Sequence, residues 1–308
     1  MHGCDGEIGS LPDFAAPPVP ATVECLPMTV PYDLHSHSTA SDGTLSPAQL
    51  VHAAHQAGVR VLALTDHDST HGIADAQQAA AGCGLQLLPG VEVSVTWNAQ
   101  TVHVLGLGID PACAELQHGL AGLREFRDWR AREIDRRLAR AGIGGALSGA
   151  RSLAVGSIIS RTHFARYLVA SGHAASVREV FRRYLVHGKP GHVAGQWAAL
   201  ETALDWIRAA GGMAVIAHPA RYNMTTSRLR NLIGEFRECG GLGMEVVSGS
   251  HSRDNVSAMG ELSRREGMLA SSGSDYHGPE HCWIRLGELP ELPQGCAAVW
   301  DSPQWPLQ

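Results

Sequence analysis

Within Asp33-Leu34-His35-Ser36-His37-Ser38-Thr39-Ala40-Ser41-Asp42-Gly43-Thr44, two histidines stand two residues apart. Residues i and i+2 of an extended strand point to the same face, so His35 and His37 can reach one metal ion without a helix to hold them. The Ser-Asp-Gly-Thr after them reads as a loop with the Asp42 carboxylate at its tip. One His-x-His among 17 histidines carries little weight alone. Its weight comes from the rest of the chain, where polar groups recur at the ends of apolar runs.

Short apolar runs of strand type recur, and each ends in or carries a polar group. Val59–Leu64 leads to Thr65-Asp66-His67-Asp68, Leu85–Val93 carries Glu92, and Thr101–Gly106 contains His103. Met213–Ala217 ends in His218-Pro219, Leu242–Val247 carries Glu245, and Met268–Ser272 delivers Gly273-Ser274-Asp275-Tyr276-His277. Helices are expected between them: Ser46 as N-cap with Pro47 at the first helical position through Ala57, then Ser69–Ala81, Ala198–Ala210, Ser227–Cys239 and Arg253–Glu266. The alternation predicts an α/β protein of parallel β/α construction, with its chemistry at strand ends. Residues 112–192 interrupt it and read as a small helical inserted domain. There a long Arg-rich helix to Ala141 precedes a Gly-rich link over 142–149 and two shorter helices. Residues 1–28, rich in Pro, Ala and Gly, read as a poorly ordered tail, which leaves 29–111 and 193–308 as the catalytic domain.

Composition narrows the setting. No apolar run approaches the roughly 20 residues that cross a bilayer, and the N-terminus lacks the pattern of a secretory signal. Seven cysteines, none in a Cys-x-x-Cys pair, fit reduced thiols in the cytoplasm. Charge is unevenly spread. Arg124 to His192 holds 14 basic and 5 acidic residues, or +9; against the totals of 24 and 30, the remainder holds 10 and 25, or −15. A basic segment on an acidic body suggests an anionic ligand held between them, although for Arg124 to Arg140 alone an arginine-rich helix with a solvated face is the favoured reading.

The strand-end candidates are His35, His37, Asp42, His67, Glu92, His103, His218, Asp275 and His277. Imidazole and carboxylate without thiolate suit manganese, iron or zinc in a hydrolytic site. Several divalent ions sharing a carboxylate and a hydroxide polarise a phosphoryl group and supply a nucleophile at neutral pH.

These residues carry a resemblance. His35-Ser36-His37, Thr65-Asp66-His67-Asp68, Gly90-Val91-Glu92, His218-Pro219 and Gly273-Ser274-Asp275-Tyr276-His277 resemble, in order, the motifs of the PHP (polymerase and histidinol phosphatase) family. The resemblance implies a distorted seven-stranded β/α barrel with three divalent ions, manganese first, with iron or zinc also suited. One ion would be held by His35, His37, Glu92 and Asp275, and a second by bridging Glu92, His103 and His218. A third would use Asp42, His67 and His277. A metal-bridging hydroxide held by Glu92, Asp275 and His218 would then attack phosphorus in line.

Within the family, the chain is similar to bacterial phosphoesterases acting on nucleoside 3′,5′-bisphosphates and the 5′ ends of short RNA. Asp42 stands where many histidinol phosphatases have histidine, and Val102-His103-Val104-Leu105-Gly106-Leu107-Gly108-Ile109-Asp110 is typical of this branch. The insertion contains Ser160-Arg161-Thr162-His163-Phe164-Ala165-Arg166 and Gly188-Lys189-Pro190. Relatives tend to follow that Lys-Pro with a Tyr-Val-Pro-His-like run, where this chain has Gly191-His192-Val193; His192 either replaces the family histidine or marks a different pocket. Arg161, His163, Lys189 (the only lysine) and Arg221 are the substrate-phosphate candidates. Glu245 and His251 either line the mouth or serve structural roles. The resulting expectation is a phosphoesterase acting on a phosphorylated small molecule or short RNA, with no membrane or stable protein partner implied. The alternatives are a histidinol-phosphate phosphatase and a catalytically silent PHP binding module. The basic insertion argues against the first and the full ligand set against the second.

Overall fold

The computed structural model describes residues 32–280 and 284–307, so the N-terminal segment read as a tail lies outside the described residues. Seven strands form one sheet in chain order. They are β1 (Tyr32–Asp33), β2 (Val61–Leu64), β3 (Gln86–Trp97), β4 (Gln100–Leu107), β5 (Met213–Ile216), β6 (Gly243–Ser248) and β7 (Leu269–Gly273). The first and last meet where Leu34 donates its N–H to Ser272 O at 3.0 Å and His37 to Tyr276 O at 2.9 Å. The result is a distorted seven-stranded β/α barrel.

Period-two alternation builds both its core and its site. On β2, β4 and β5, residues Val61, Ala63, Leu105, Leu107, Met213 and Val215 share one cluster with Ala217, Val299 and Trp305, which fills the barrel. Their neighbours Leu62, Leu64, Val104, Ala214 and Ile216 belong to the larger cluster under the outer helices. His103 has the parity of Leu105 and Leu107, and Glu92 that of Leu88. Polar groups therefore continue columns whose other end is apolar.

Among the described residues the α-helices are α1 (Pro47–Gln56), α2 (Ile73–Cys83), α3 (Ala114–Arg140), α4 (Ala146–Leu153), α5 (Arg161–Ala170), α6 (Val177–Val180), α7 (Leu200–Ala209), α8 (Thr226–Glu238) and α9 (Arg253–Glu266), of which α4, α5 and α6 lie in the insertion. Ser46 caps α1 as expected, its hydroxyl accepting from Gln49 N–H at 3.2 Å while Gln49 Oε1 takes the Ser46 N–H at 2.9 Å. No helix among the described residues is long and apolar enough to cross a membrane.

Two local expectations are corrected. Strand β4 runs antiparallel to both β3 and β5, so construction is not parallel throughout. Asn98 and Ala99 both take left-handed φ, 45° and 61°, which is the tight hairpin that only antiparallel strands can use. The Gly-rich link is partly helical, because α4 begins at Ala146.

Helix α3 belongs to two cores. Leu116, Leu120 and Leu123 pack in the barrel cluster, whereas Ala131, Ile134 and Leu138 pack with Ala146, Phe164, Leu168 and Val180 in a separate one. Residues 112 to about 123 thus pack with the barrel although they precede the insertion's own core.

Gly273 sets how closely β7 approaches the His35 segment. A Cβ there would lie 2.4 Å from His35 Cβ and 2.7 Å from Glu245 Oε1. Gly273→Ala is expected to lower unfolding stability by about 1–3 kcal/mol through this overpacking, measured by urea denaturation. Wild-type stability would show that the His35 segment can give way.

Candidate metal centre

His35 and His37 emerge just past β1 and are wholly buried. Their Nε2 atoms are 3.1 Å apart. His35 Nε2 is 3.5 Å from both Glu92 Oε2 and Asp275 Oδ1, and His37 Nε2 is 3.3 Å from each. Ligand atoms about 2.1 Å from one ion lie about 3.0–3.4 Å from each other, so this spacing is that of a coordination shell. Glu245, also wholly buried, aims the set. Its Oε1 accepts from His35 Nδ1 at 2.8 Å, which leaves Nε2 free to ligate, and its Oε2 accepts the His218 backbone N–H.

The other oxygen of Glu92 faces a second pair. Oε1 lies 2.8 Å from His103 Nδ1 and 3.0 Å from His218 Nε2. Asp42 Oδ1 is 3.3 Å from His277 Nε2 and 4.0 Å from His67 Nε2. His67 also points its Nδ1 at Glu92 Oε2, 2.7 Å away. His67 therefore stands between two sets rather than in the Asp42 set alone. The donor groupings that could each hold an ion include His37-Asp42-His67-His277, His35-His37-Glu92 and His67-Glu92-His103. His218 and Asp275 both take left-handed φ, 32° and 56°, a conformation that non-glycine residues keep only where their surroundings dictate it.

Two observations show that the set fits divalent cations. Asp42 Oδ1, Glu92 Oε2, His67 Nδ1 and His218 Nδ1 are buried with no well-formed hydrogen bond. The charges are the second observation: against burial, neighbouring carboxylates raise His35, His67 and His277 as protonated imidazoles, and cations would take the place of those protons once the rings ligate. Despite burial, His67, His103 and His35 hold Glu92 ionised well below the usual carboxylate range, and Asp275 and Asp42 are held down by neighbouring imidazoles in the same way. Burial, with His277 beside it, pushes His37 down to about 3, which keeps it the neutral imidazole that a metal requires.

One cleft joins these donors to the insertion. Asp42, His67, His103, His218, Asp275 and His277 line it together with Ser160, Arg161, Thr162, Phe181, Arg127, Arg130, Trp197 and Arg221. Arg161 stands at the start of α5, its guanidinium 5.6 Å over the Phe181 ring. Phe181 opens a π-helical turn, Phe181–Leu185. Arg221 pairs with Asp275.

His163 and Lys189 do not line this cleft. His163 is buried and spends Nδ1 on the Ser160 backbone N–H at 3.1 Å, closing a capping box at the start of α5. Lys189 is exposed in the turn after Val186. His192 packs against His187 and is also absent from the cleft lining. His251 turns Nδ1 toward Val246 O at 3.1 Å.

A solvated helix face does not account for Arg127 and Arg130, which are buried cleft residues. Their spacing holds the signal. Leu116, Leu120, Leu123, Arg127, Arg130, Ile134 and Leu138 succeed each other by three or four residues, so both arginines stand in the apolar stripe of α3. Arg130 donates to Val193 O at 3.0 and 3.2 Å and stacks on Trp197. Burial beside Arg161 and Arg127 pushes it down to about 9. A guanidinium stays protonated at such a value, so the cost becomes a demand for an anion.

Comparisons with known proteins agree with this geometry. The PHP domain model matches residues 33–246. A Chromobacterium violaceum protein named 3′,5′-nucleoside bisphosphate phosphatase is 50% identical over 269 residues, covering 87% of this chain and 94% of that one. The Escherichia coli protein named 5′-3′ exoribonuclease Rnm is 45% identical over 273 residues, covering 88% and 92%. A solved Chromobacterium violaceum structure, described as an amidohydrolase with bound sulfate and no metal, superposes with a TM-score of 0.85 at 49% identity over 88% of this chain and 95% of that one. Motif order, barrel and donor cluster thus meet a family match across most of the chain, and the chain belongs to the PHP domain family.

Proposed function

We propose that this protein is a metal-dependent phosphoesterase acting on nucleotides that carry one phosphate for cleavage and another for recognition. The observation that carries the reading is the shared cleft: the donor cluster and two arginines lacking a carboxylate partner among the described residues, Arg130 and Arg161, line one space. Arg161 makes no ion pair or hydrogen bond with the described protein, so its donors are available to a ligand. Charge-assisted bonds from guanidinium to phosphate are among the stronger polar contacts.

The two relatives' names share one demand. A nucleoside 3′,5′-bisphosphate carries phosphorus on both sides of its sugar, and an enzyme working 5′ to 3′ along RNA meets a terminal nucleotide with phosphorus on its 3′ side. One anion subsite for the 5′ phosphate, with the donor cluster at the 3′ phosphorus, serves both. We assign the subsite to Arg130, Arg161 and the N-terminus of α5, with Arg221 at the donor edge. His163 and Lys189 are left outside it.

For the donors we propose three divalent ions, manganese first, on His35, His37, Asp42, His67, Glu92, His103, His218, Asp275 and His277. When bound, such ions neutralise charge on the phosphoryl group and lower the pKa of water. The residues fix where that happens: Glu92 divides its oxygens between two donor sets, Glu245 orients His35 and His218, and Arg221 steadies Asp275. Histidinol phosphate, with its aminium group, fits poorly beside Arg130 and Arg161, whose charges no carboxylate among the described residues answers. A cytoplasmic location accords with free thiols at Cys83, Cys113, Cys239 and Cys296.

Glu92→Gln is expected to lose metal and activity together, with kcat falling more than about a hundredfold. Elemental analysis showing wild-type metal content in an inactive variant would break the bridging assignment. For the subsite, kinetics should be compared on a 3′,5′-bisphosphate, 5′-phosphorylated RNA, histidinol phosphate and an aryl phosphate. Arg161→Ala should raise KM more than it lowers kcat on the first two substrates, costing roughly ten- to a hundredfold in kcat/KM, while Lys189→Ala stays within about twofold. Equal rates on all four substrates, or an Arg161→Ala effect confined to kcat, would contradict the reading.

A further inference from the structure

Arg127 differs from the two unpaired arginines of the cleft because its charge is already answered. Its Nε donates to Asp68 Oδ2 at 2.6 Å and its Nη2 to Ser94 Oγ at 2.9 Å. Asp68 is wholly buried, comes directly after His67 and takes a left-handed φ of 48°. Its backbone N–H donates to Glu92 O at 2.9 Å, and its Oδ1 accepts from Ser94 N–H at 2.7 Å. Its carbonyl accepts from Arg124 Nη1 at 3.1 Å. Asp68 thus grips β3 at Glu92 and again two residues on, and grips α3 at two arginines three residues apart.

Hydrophobic contact does not require this grip. Leu116, Leu120 and Leu123 already hold the first turns of α3 to the barrel. The ion pair lies at the end of that contact, one turn before Arg130, and Arg127 and Arg130 both stack on Trp197 at 5.1 and 5.3 Å. A buried pair adds little net stability over apolar packing, but it fixes geometry strictly, since displacing one partner leaves a bare charge.

We propose that Asp68, Arg127 and Ser94 form a strut that sets the position of Arg130 and Arg161 over the donor cluster. On this account Asp68 and Arg127 are positioning residues that determine preference for a doubly phosphorylated substrate. The proposal rests on the reading of Arg130 and Arg161 as the recognition subsite. An aryl phosphate, with one phosphate, does not reach that subsite and is the control.

The test uses the full-length, metal-loaded protein with Asp68→Asn, Arg127→Met and the double variant. In the double variant neither charge is left bare, so it keeps the test open where Asp68→Asn alone fails to fold. The expected result is a KM for the 3′,5′-bisphosphate raised about ten- to a hundredfold. Metal content and aryl phosphate kinetics should be unchanged within about twofold, and the double variant no worse than the worse single one. Loss of metal would overturn the strut by showing that Asp68 serves His67 and Glu92 instead. Equal loss on both substrates, or no loss on either, would overturn it too. If wild-type protein itself shows no preference for the bisphosphate over the aryl phosphate, the underlying subsite reading fails. If that preference exists and the variants keep it, only the strut fails.

Discussion

Glu92 faces five imidazoles, His35, His37, His67, His103 and His218, at 2.7 to 3.5 Å, with no solvent exposure. A buried carboxylate is costly unless charge and hydrogen bonds answer it. The chain answers this one by delivering histidines from four segments to a single point. That demand explains why the strand ends converge and why Glu245 is buried to aim two of the histidines. It also accounts for left-handed backbone at His218 and Asp275, where an ordinary turn would point the side chain elsewhere.

The reversed strand β4 arises from the same demand. A parallel strand would reach the site only after a crossover. The Asn98-Ala99 hairpin instead folds β4 straight back along β3, which pairs Ser94 with His103 and brings the imidazole to Glu92 Oε1. One hairpin thereby supplies two donors to one site, and the insertion leaves from the far end of β4 to close over it.

Much of this is legible in the chain because strand parity and loop chemistry are local. His-x-His, the Ser46-Pro47 cap and the polar residues after apolar runs each declare themselves within a few residues. The direction of β4 is not legible, since Asn98-Ala99 lacks the glycine that usually marks such a turn. The sharing of His67 between Glu92 and Asp42 depends on distances that spacing along a chain does not encode. Arg127 and Arg130 escape notice for a different reason: an arginine-rich helix looks solvated unless the positions of the arginines are checked against the apolar stripe. Lys189, conspicuous as the only lysine, lies exposed, and rarity in composition is no guide to place.

The central claim is that one cleft holds a cleaved phosphate on the donor cluster and an uncleaved one on arginines of the insertion. The most direct measurement is a crystal structure with manganese and a non-hydrolysable nucleoside 3′,5′-bisphosphate, with the ions located by anomalous scattering. The account predicts anomalous peaks among the nine donors, the 3′ phosphorus beside them, and the 5′ phosphate about 2.7–2.9 Å from the Arg130 and Arg161 nitrogens. A 5′ phosphate in open solvent with both guanidiniums unengaged, or peaks lying away from Glu92, would contradict it.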